Sequence, residues 1–321
     1  MKLLLIALFF LGVTNLTNAK SVSLAVDGGT LHGTLQEANS PKNSLVVFIL
    51  AGSGPTDRDG NTIGAPGKNN SLKRLAEQLN SHGISSLRTD KRGIGESASA
   101  MVSEVDLRFD TYVNDMKAWL QFLNDHDHDR VILLGHSEGA LIASQLAQKH
   151  PKQVIGMISL AGAGKPAPTI LRDQLKPKLP EDLYTQADMI IEKLSQGQLV
   201  ESPPSYLQAL FRPSVQPYLI SWFALDPAEE YSKIDQPLLI LQGSTDIQTT
   251  VDDAQLLHQR NPRSKLHVIN GMNHVLKAVE GSLEQQTPSY FDPSLPLHKE
   301  LIPQILAFID TLNTNVTSAK N

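Results

Sequence analysis

The five residues Gly135-His136-Ser137-Glu138-Gly139 constrain this chain more than any other stretch. The pattern Gly-x-Ser-x-Gly carries chemical meaning only where a strand runs straight into a helix. Here the apolar run Val131-Ile132-Leu133-Leu134 precedes it, and a segment rich in small residues (Ala140, Ala143, Ala147) follows. The pattern predicts a strand over 131–134 and a helix starting at Glu138. So tight a turn strains the serine and crowds the residues two before and two after it, which suits Gly135 and Gly139. It exposes the Ser137 hydroxyl beside the positive end of a helix, where backbone N–H groups can meet a developing oxyanion. His136 is expected to point away from Ser137, into the strand–helix packing.

The rest of the chain alternates in the same way. Val22–Val26 and Thr30–Leu35 read as strands around Asp27-Gly28-Gly29, a hairpin signal. Leu45–Leu50 is a continuous apolar run of the kind buried on both faces of a parallel sheet. Helical spacing follows at Leu72, Leu75, Ala76 and Leu79, with capping candidates at Asn69–Ser71. Further strands fall near 84–87, 154–160, 237–241 and 266–269, with helices near 109–123, 252–259 and 301–312. Strand and helix in repetition predict an α/β fold, a mostly parallel sheet with helices on both faces. From about 165 to 235 the alternation stops, and helical patterns broken by prolines predict an inserted lid, not an independent domain.

Composition narrows the function. A net charge of −5 argues against a nucleic-acid partner. The chain has no cysteine, which excludes disulfides, a thiol nucleophile and cysteine-held metal. Met1-Lys2, the apolar run Leu3–Val13 and the segment Thr14–Ala19 read as an export signal over 1–19, cut after Ala19, with the catalytic domain over 20–321. The expected location is periplasmic or secreted. An uncleaved anchor is the competing reading; with cleavage, no stable membrane insertion is expected.

A serine needs a base to take its proton and a carboxylate to orient that base. After an elbow of this kind the partners follow in the order serine, acid, histidine, at the ends of later strands. Asp246 follows the strand at 238–241, and His274 follows the strand at 266–269. Asp252 and Asp253 compete for the first role but read as helix-capping residues. His258, His267 and His298 compete for the second; His267 lies within a strand, and the other two are expected at the surface. The loop Ala51-Gly52-Ser53-Gly54 ends the 45–50 strand, so the oxyanion donors are expected to be the Ser53 and Glu138 backbone N–H groups. His126-Asp127-His128-Asp129 suggests a metal cluster, but a polar loop explains it and no metal site is expected.

Four further segments carry a family resemblance. Leu50-Ala51-Gly52-Ser53-Gly54-Pro55-Thr56-Asp57-Arg58-Asp59-Gly60-Asn61 resembles the oxyanion segment of bacterial α/β-hydrolases of the EstD-like esterase group. That group is related to the serine aminopeptidase S33 and acyl-thioesterase branches. Asp90-Lys91-Arg92-Gly93-Ile94-Gly95-Glu96-Ser97 is similar to the group's turn after the fourth strand. Gln242–Gln248 and Asn273–Lys277 are similar to its acid and histidine segments. The resemblance implies an α/β-hydrolase fold and hydrolysis of small or medium carboxylic esters through Ser137, His274 and Asp246, without metal or organic cofactor. Arg58 is expected to brace its loop through carboxylates.

The alternatives are a proline-iminopeptidase-like aminopeptidase, an acyl thioesterase, and a non-catalytic binding protein on the same scaffold. In the lid, Phe211, Tyr218, Trp222 and Phe223 are candidates to line a substrate pocket, or else form the lid's own core. The expected partner is a small-molecule ester; nothing in the sequence fixes the oligomeric state.

Overall fold

The computed structural model describes residues 18–38, 45–101 and 103–318. Eight strands form one sheet in the order β1-β2-β4-β3-β5-β6-β7-β8. They are β1 (Asn18–Val26), β2 (Gly29–Glu37), β3 (Leu45–Leu50), β4 (Ser85–Thr89), β5 (Arg130–His136), β6 (Val154–Leu160), β7 (Leu238–Gly243) and β8 (Lys265–Ile269). The β1–β2 hairpin is antiparallel and joins β4 antiparallel; from β4 to β8 the neighbours are parallel. This is the α/β-hydrolase arrangement. Asn18 pairs with Glu37 and Ala19 with Gln36 in the hairpin, whereas residues 1–17 of the expected export signal lie outside the described residues.

Alternate residues of the central strands feed two separate cores, as the two-residue period of a strand requires. Val46, Phe48 and Leu50 of β3 pack on one face with Val131 and Leu133 of β5. Helices α2 (Phe109–Asp125), α3 (Glu138–Lys149) and α9 (Val251–Arg260) cover that face. Val47, Ile49, Ile132 and Leu134 point the other way, against α1 (Ser71–Ser81) and α11 (Leu301–Ser318). This two-sided burial explains why these strands read as unbroken apolar runs.

Between β6 and β7 the chain forms α4 (Ala167–Leu175), α5 (Glu181–Ser195), α6 (Gln208–Phe211), α7 (Gln216–Phe223) and α8 (Pro227–Ser232). Their apolar residues, among them Ile191, Leu194, Phe211 and Leu219, join the same core as α2 and α3. A short α10 (Leu283–Gln286) precedes α11. Among the described residues, no helix is long and apolar enough to cross a membrane.

Candidate active site

Strand β5 hands over to α3 at Ser137, whose backbone sits at φ 54°, ψ −122°. A left-handed, non-glycine residue of this kind costs on the order of 1–3 kcal/mol and persists only where its surroundings enforce it. Ser137 N–H donates to the Leu160 carbonyl of β6 (3.0 Å), and Ala140 N–H closes the turn on the Ser137 carbonyl (3.0 Å). A Cβ on Gly135 would run into the backbone of Gly139 and Ala140, and one on Gly139 into the backbone of Leu50 and Ala51. Both glycines are therefore steric requirements of the turn.

Asp246 and His274 emerge after β7 and β8, at the same edge of the sheet as Ser137. His274 Nδ1–H donates to Asp246 Oδ2 at 2.8 Å, and the two side chains are 5% and 1% exposed. Further donors surround the carboxylate. Gln248 and Thr249 N–H bond Oδ1 at 2.8 and 3.1 Å, while Thr249 Oγ1 and Gln242 Nε2 approach Oδ2 at 3.1 and 3.2 Å. Burial opposes ionisation of Asp246, but His274 and these N–H donors outweigh it and hold its pKa below the ordinary carboxylate value. With the proton on Nδ1, His274 keeps Nε2 free as an acceptor.

His136 does not simply pack away from the site. Its Nε2–H donates to the His274 backbone carbonyl (2.9 Å), and the two rings lie 4.8 Å apart. Burial, then the neighbouring His274, lowers the His136 pKa to about 4, so it is neutral near pH 7. The competing residues fall elsewhere. Asp253 forms a capping box with Thr250 at the start of α9 and accepts from Gly164 N–H (3.0 Å). His258 contacts Ser264 Oγ. His298 is buried, not at the surface as expected, and accepts from Glu300 N–H. His126 stacks on Phe122, and among the described residues no group of three His, Asp or Glu converges as a metal site would require.

Parallel pairing sets Leu50 of β3 beside Gly135 of β5, so the Gly52 loop ends next to the elbow. A Cβ on Gly52 would lie 3.1 Å from that of Ser137. The loop is held from behind by Lys91, whose ammonium donates to the Gly52 carbonyl (2.5 Å) and the Gly54 carbonyl (3.0 Å). Arg58 is ion-paired with Asp90 and Glu96, the bracing expected of it.

Ser137 borders two cavities. One, of about 340 Å³, lies under the helical segment between Ser53, Ser137, Glu138, Leu141, Phe211, Tyr218 and Trp222. The other, of about 310 Å³, is flanked by Ser53, Thr56, Asn69, Ser137, His274 and Tyr290. Phe211, Tyr218 and Trp222 thus border the first cavity, but Phe223 does not; its ring is buried beside Trp222, where it serves the core.

Sequence reasoning missed Gln242, Thr249, His136 and Lys91. Gln248 and Thr249 N–H on Asp246 Oδ1 form a local Asx-type turn, a short-range signal that was there to be read. The contacts of Lys91 and His136 span large sequence separations and leave no local trace.

The profile of the serine aminopeptidase S33 family matches residues 64–278. The chain belongs to this family. It is similar to esterase EstD of Thermotoga maritima, 28% identical over 283 residues, which cover 86% of this chain and 65% of that protein. It is also similar to the bifunctional biotin-biosynthesis protein BioHC of Cellvibrio japonicus, 29% identical over 59% of this chain and 37% of that one. The chain therefore spans less than two thirds of either relative. Among solved structures, the Pyrococcus furiosus esterase Pf2001 superposes with a TM-score of 0.58 at 19% identity, covering 92% and 93% of the two chains. Ferulic-acid-bound Est1E from Butyrivibrio proteoclasticus gives 0.57 at 18%, covering 89% and 99%. At these identities the structural likeness establishes the shared fold.

Proposed function

We propose that this S33-family protein is an exported serine carboxylic-ester hydrolase that works through an acyl-enzyme. The observation that carries the reading is the buried Asp246–His274 pair, opening on the same cavity as the strained Ser137. His274 Nε2 takes the Ser137 proton as Oγ attacks the ester carbonyl, and Asp246 holds the imidazole and stabilises its charged form. The Ser53 and Glu138 N–H groups receive the oxyanion. His274 returns the proton to the leaving alcohol; water, activated by the same histidine, then releases the acid.

The two cavities suggest how a substrate is divided. The space beneath Phe211, Tyr218 and Trp222 suits an apolar acyl chain of small or medium length, within the usual range of small-molecule sites. The cavity beside Thr56 and Asn69 suits a more polar leaving group.

An ester is favoured over an amino-terminal peptide by the charges. Among the described residues, Glu138 is the one acidic side chain bordering either cavity. Its carboxylate already accepts from Tyr218 Oη (2.7 Å) and lies 3.7 Å from Lys91 Nζ. No carboxylate there stands ready for a substrate ammonium group.

The test compares p-nitrophenyl acyl esters of increasing chain length, matched thioesters and a proline anilide on one preparation. Turnover is expected on esters, with a preference set by chain length; turnover confined to the anilide or the thioesters would contradict the reading. Export is tested by fractionating cells that express the full chain, with the shortened protein expected outside the cytoplasm.

A further inference from the structure

Lys91 lies in the turn after β4 and is 3% exposed, yet it borders neither cavity at Ser137. Burying an ammonium costs several kcal/mol, so its place there calls for a reason. Its contacts supply one. The Gly52 carbonyl that it grips belongs to the same planar peptide unit as the Ser53 N–H. In a trans peptide the C=O and N–H point in opposite directions. Holding the carbonyl from behind therefore directs the amide forward. The second bond, to the Gly54 carbonyl, fixes the far side of Ser53.

The loop needs such an anchor. Gly52 and Gly54 have no side chains to hold it, Gly54 is at φ +64°, and Ser53 itself is exposed. The counter-charge is equally pointed. Lys91 Nζ lies 3.7 Å from Glu138 Oε1, and Glu138 is the residue whose own N–H adjoins the nucleophile. Tyr218 of α7 donates to the other Glu138 oxygen, and the Tyr112 ring lies 5.3 Å from the ammonium. Burial lowers the Lys91 pKa, and Glu138 opposes that shift.

We propose that Lys91 is a positioning residue: it aims the Ser53 N–H at the substrate's carbonyl oxygen, and Glu138 keeps its charge in place. This rests on the serine-esterase reading above. An ion pair that merely ties the β4 turn to α3 would affect stability but would not distinguish ground state from transition state. A device that aims an oxyanion donor must do so.

The experiment measures kcat, KM and inhibition by an alkyl trifluoromethyl ketone, whose serine adduct carries an oxyanion, for wild type and Lys91→Met. Lys91→Met is expected to lower kcat by about 10²-fold, the scale for loss of one oxyanion donor. KM should stay near the wild-type value, and ketone affinity should fall in parallel with kcat/KM. If the single variant does not fold, Lys91→Met/Glu138→Gln removes both buried charges and is expected to give the same pattern. An unchanged kcat in a folded variant, or a lower kcat with unaltered ketone affinity, would overturn the assignment. Wild-type protein inert toward esters and unlabelled at Ser137 by a phosphonate probe would instead overturn the underlying esterase reading, and the Lys91 role with it.

Discussion

The carboxyl edge of the sheet and the helical segment over it hold the site in different ways. At the sheet edge, backbone geometry does the placing. Ser137 is fixed by a left-handed turn and its bond to Leu160, and Asp246 by the N–H groups of Gln248 and Thr249. In the helical segment, α4–α8 are placed mainly by side chains: Tyr218 against Tyr112 and Trp222, Arg172 on Asp188, Arg212 on Glu104. The first kind of placement tolerates almost no substitution at its pivots. The second can be repacked. Changes at the sheet edge should therefore abolish chemistry, and changes in the helices should alter which substrate is chosen.

The largest effect tests that division at its centre. Ser137→Ala should cut kcat by about 10⁴–10⁶-fold, the scale known for established serine triads, with the melting temperature retained. A variant that kept its activity would move the chemistry away from the sheet edge. Asp246→Asn should cost about 10³–10⁴-fold in kcat, because the amide can no longer hold His274 in the tautomer with Nε2 free. Steady-state kinetics on one short ester measure both.

Gly135→Ala probes the backbone directly. Its methyl group has nowhere to go but into Gly139 and Ala140, and a loss of roughly 1–3 kcal/mol or more is expected by denaturant titration. A stable, active variant would show that the turn can yield to a Cβ at Gly135.

A fourth expectation concerns acid. His136 binds a proton near pH 6.5 when unfolded but only near pH 4 in its buried place. As pH falls from 6.5 towards 4 the unfolded chain is protonated first, so stability is lost over that window, by roughly 3 kcal/mol at its acid end. His136→Gln should flatten this part of the melting-temperature profile; an identical profile would exclude His136 as its source.

The smallest effect belongs to the helices. Trp222→Ala should leave acetate ester turnover nearly unchanged and shift the chain-length preference by about tenfold, the worth of one or two methylene contacts. A comparable loss on every ester would erase the proposed division between the two regions.

The same difference explains what the sequence disclosed. Strands such as Leu45–Leu50 and Val131–Leu134 are legible because burial on both faces leaves an unbroken apolar run. Ser137, Asp246 and His274 are legible because each comes within a few residues of the end of a strand, although β8, before His274, is an edge strand with only Ile269 buried. Lys91 is not, since a lysine in a turn looks like any surface lysine until the loop after β3 is folded onto it. The burial of His298 and the inward turn of Phe223 depend on tertiary packing in the same way. His136 adjoins the most conspicuous residue in the chain, yet its partner is the backbone of a loop 138 residues away.

If the strained serine at the β5–α3 turn is the nucleophile, it must react with an activated phosphonate. Incubation with a fluorophosphonate, followed by mass spectrometry of the digested protein, tests it most directly. A single phosphonate adduct on Ser137, lost in His274→Ala, is the predicted result; an unlabelled Ser137 in folded protein, or an adduct on another serine, would contradict it.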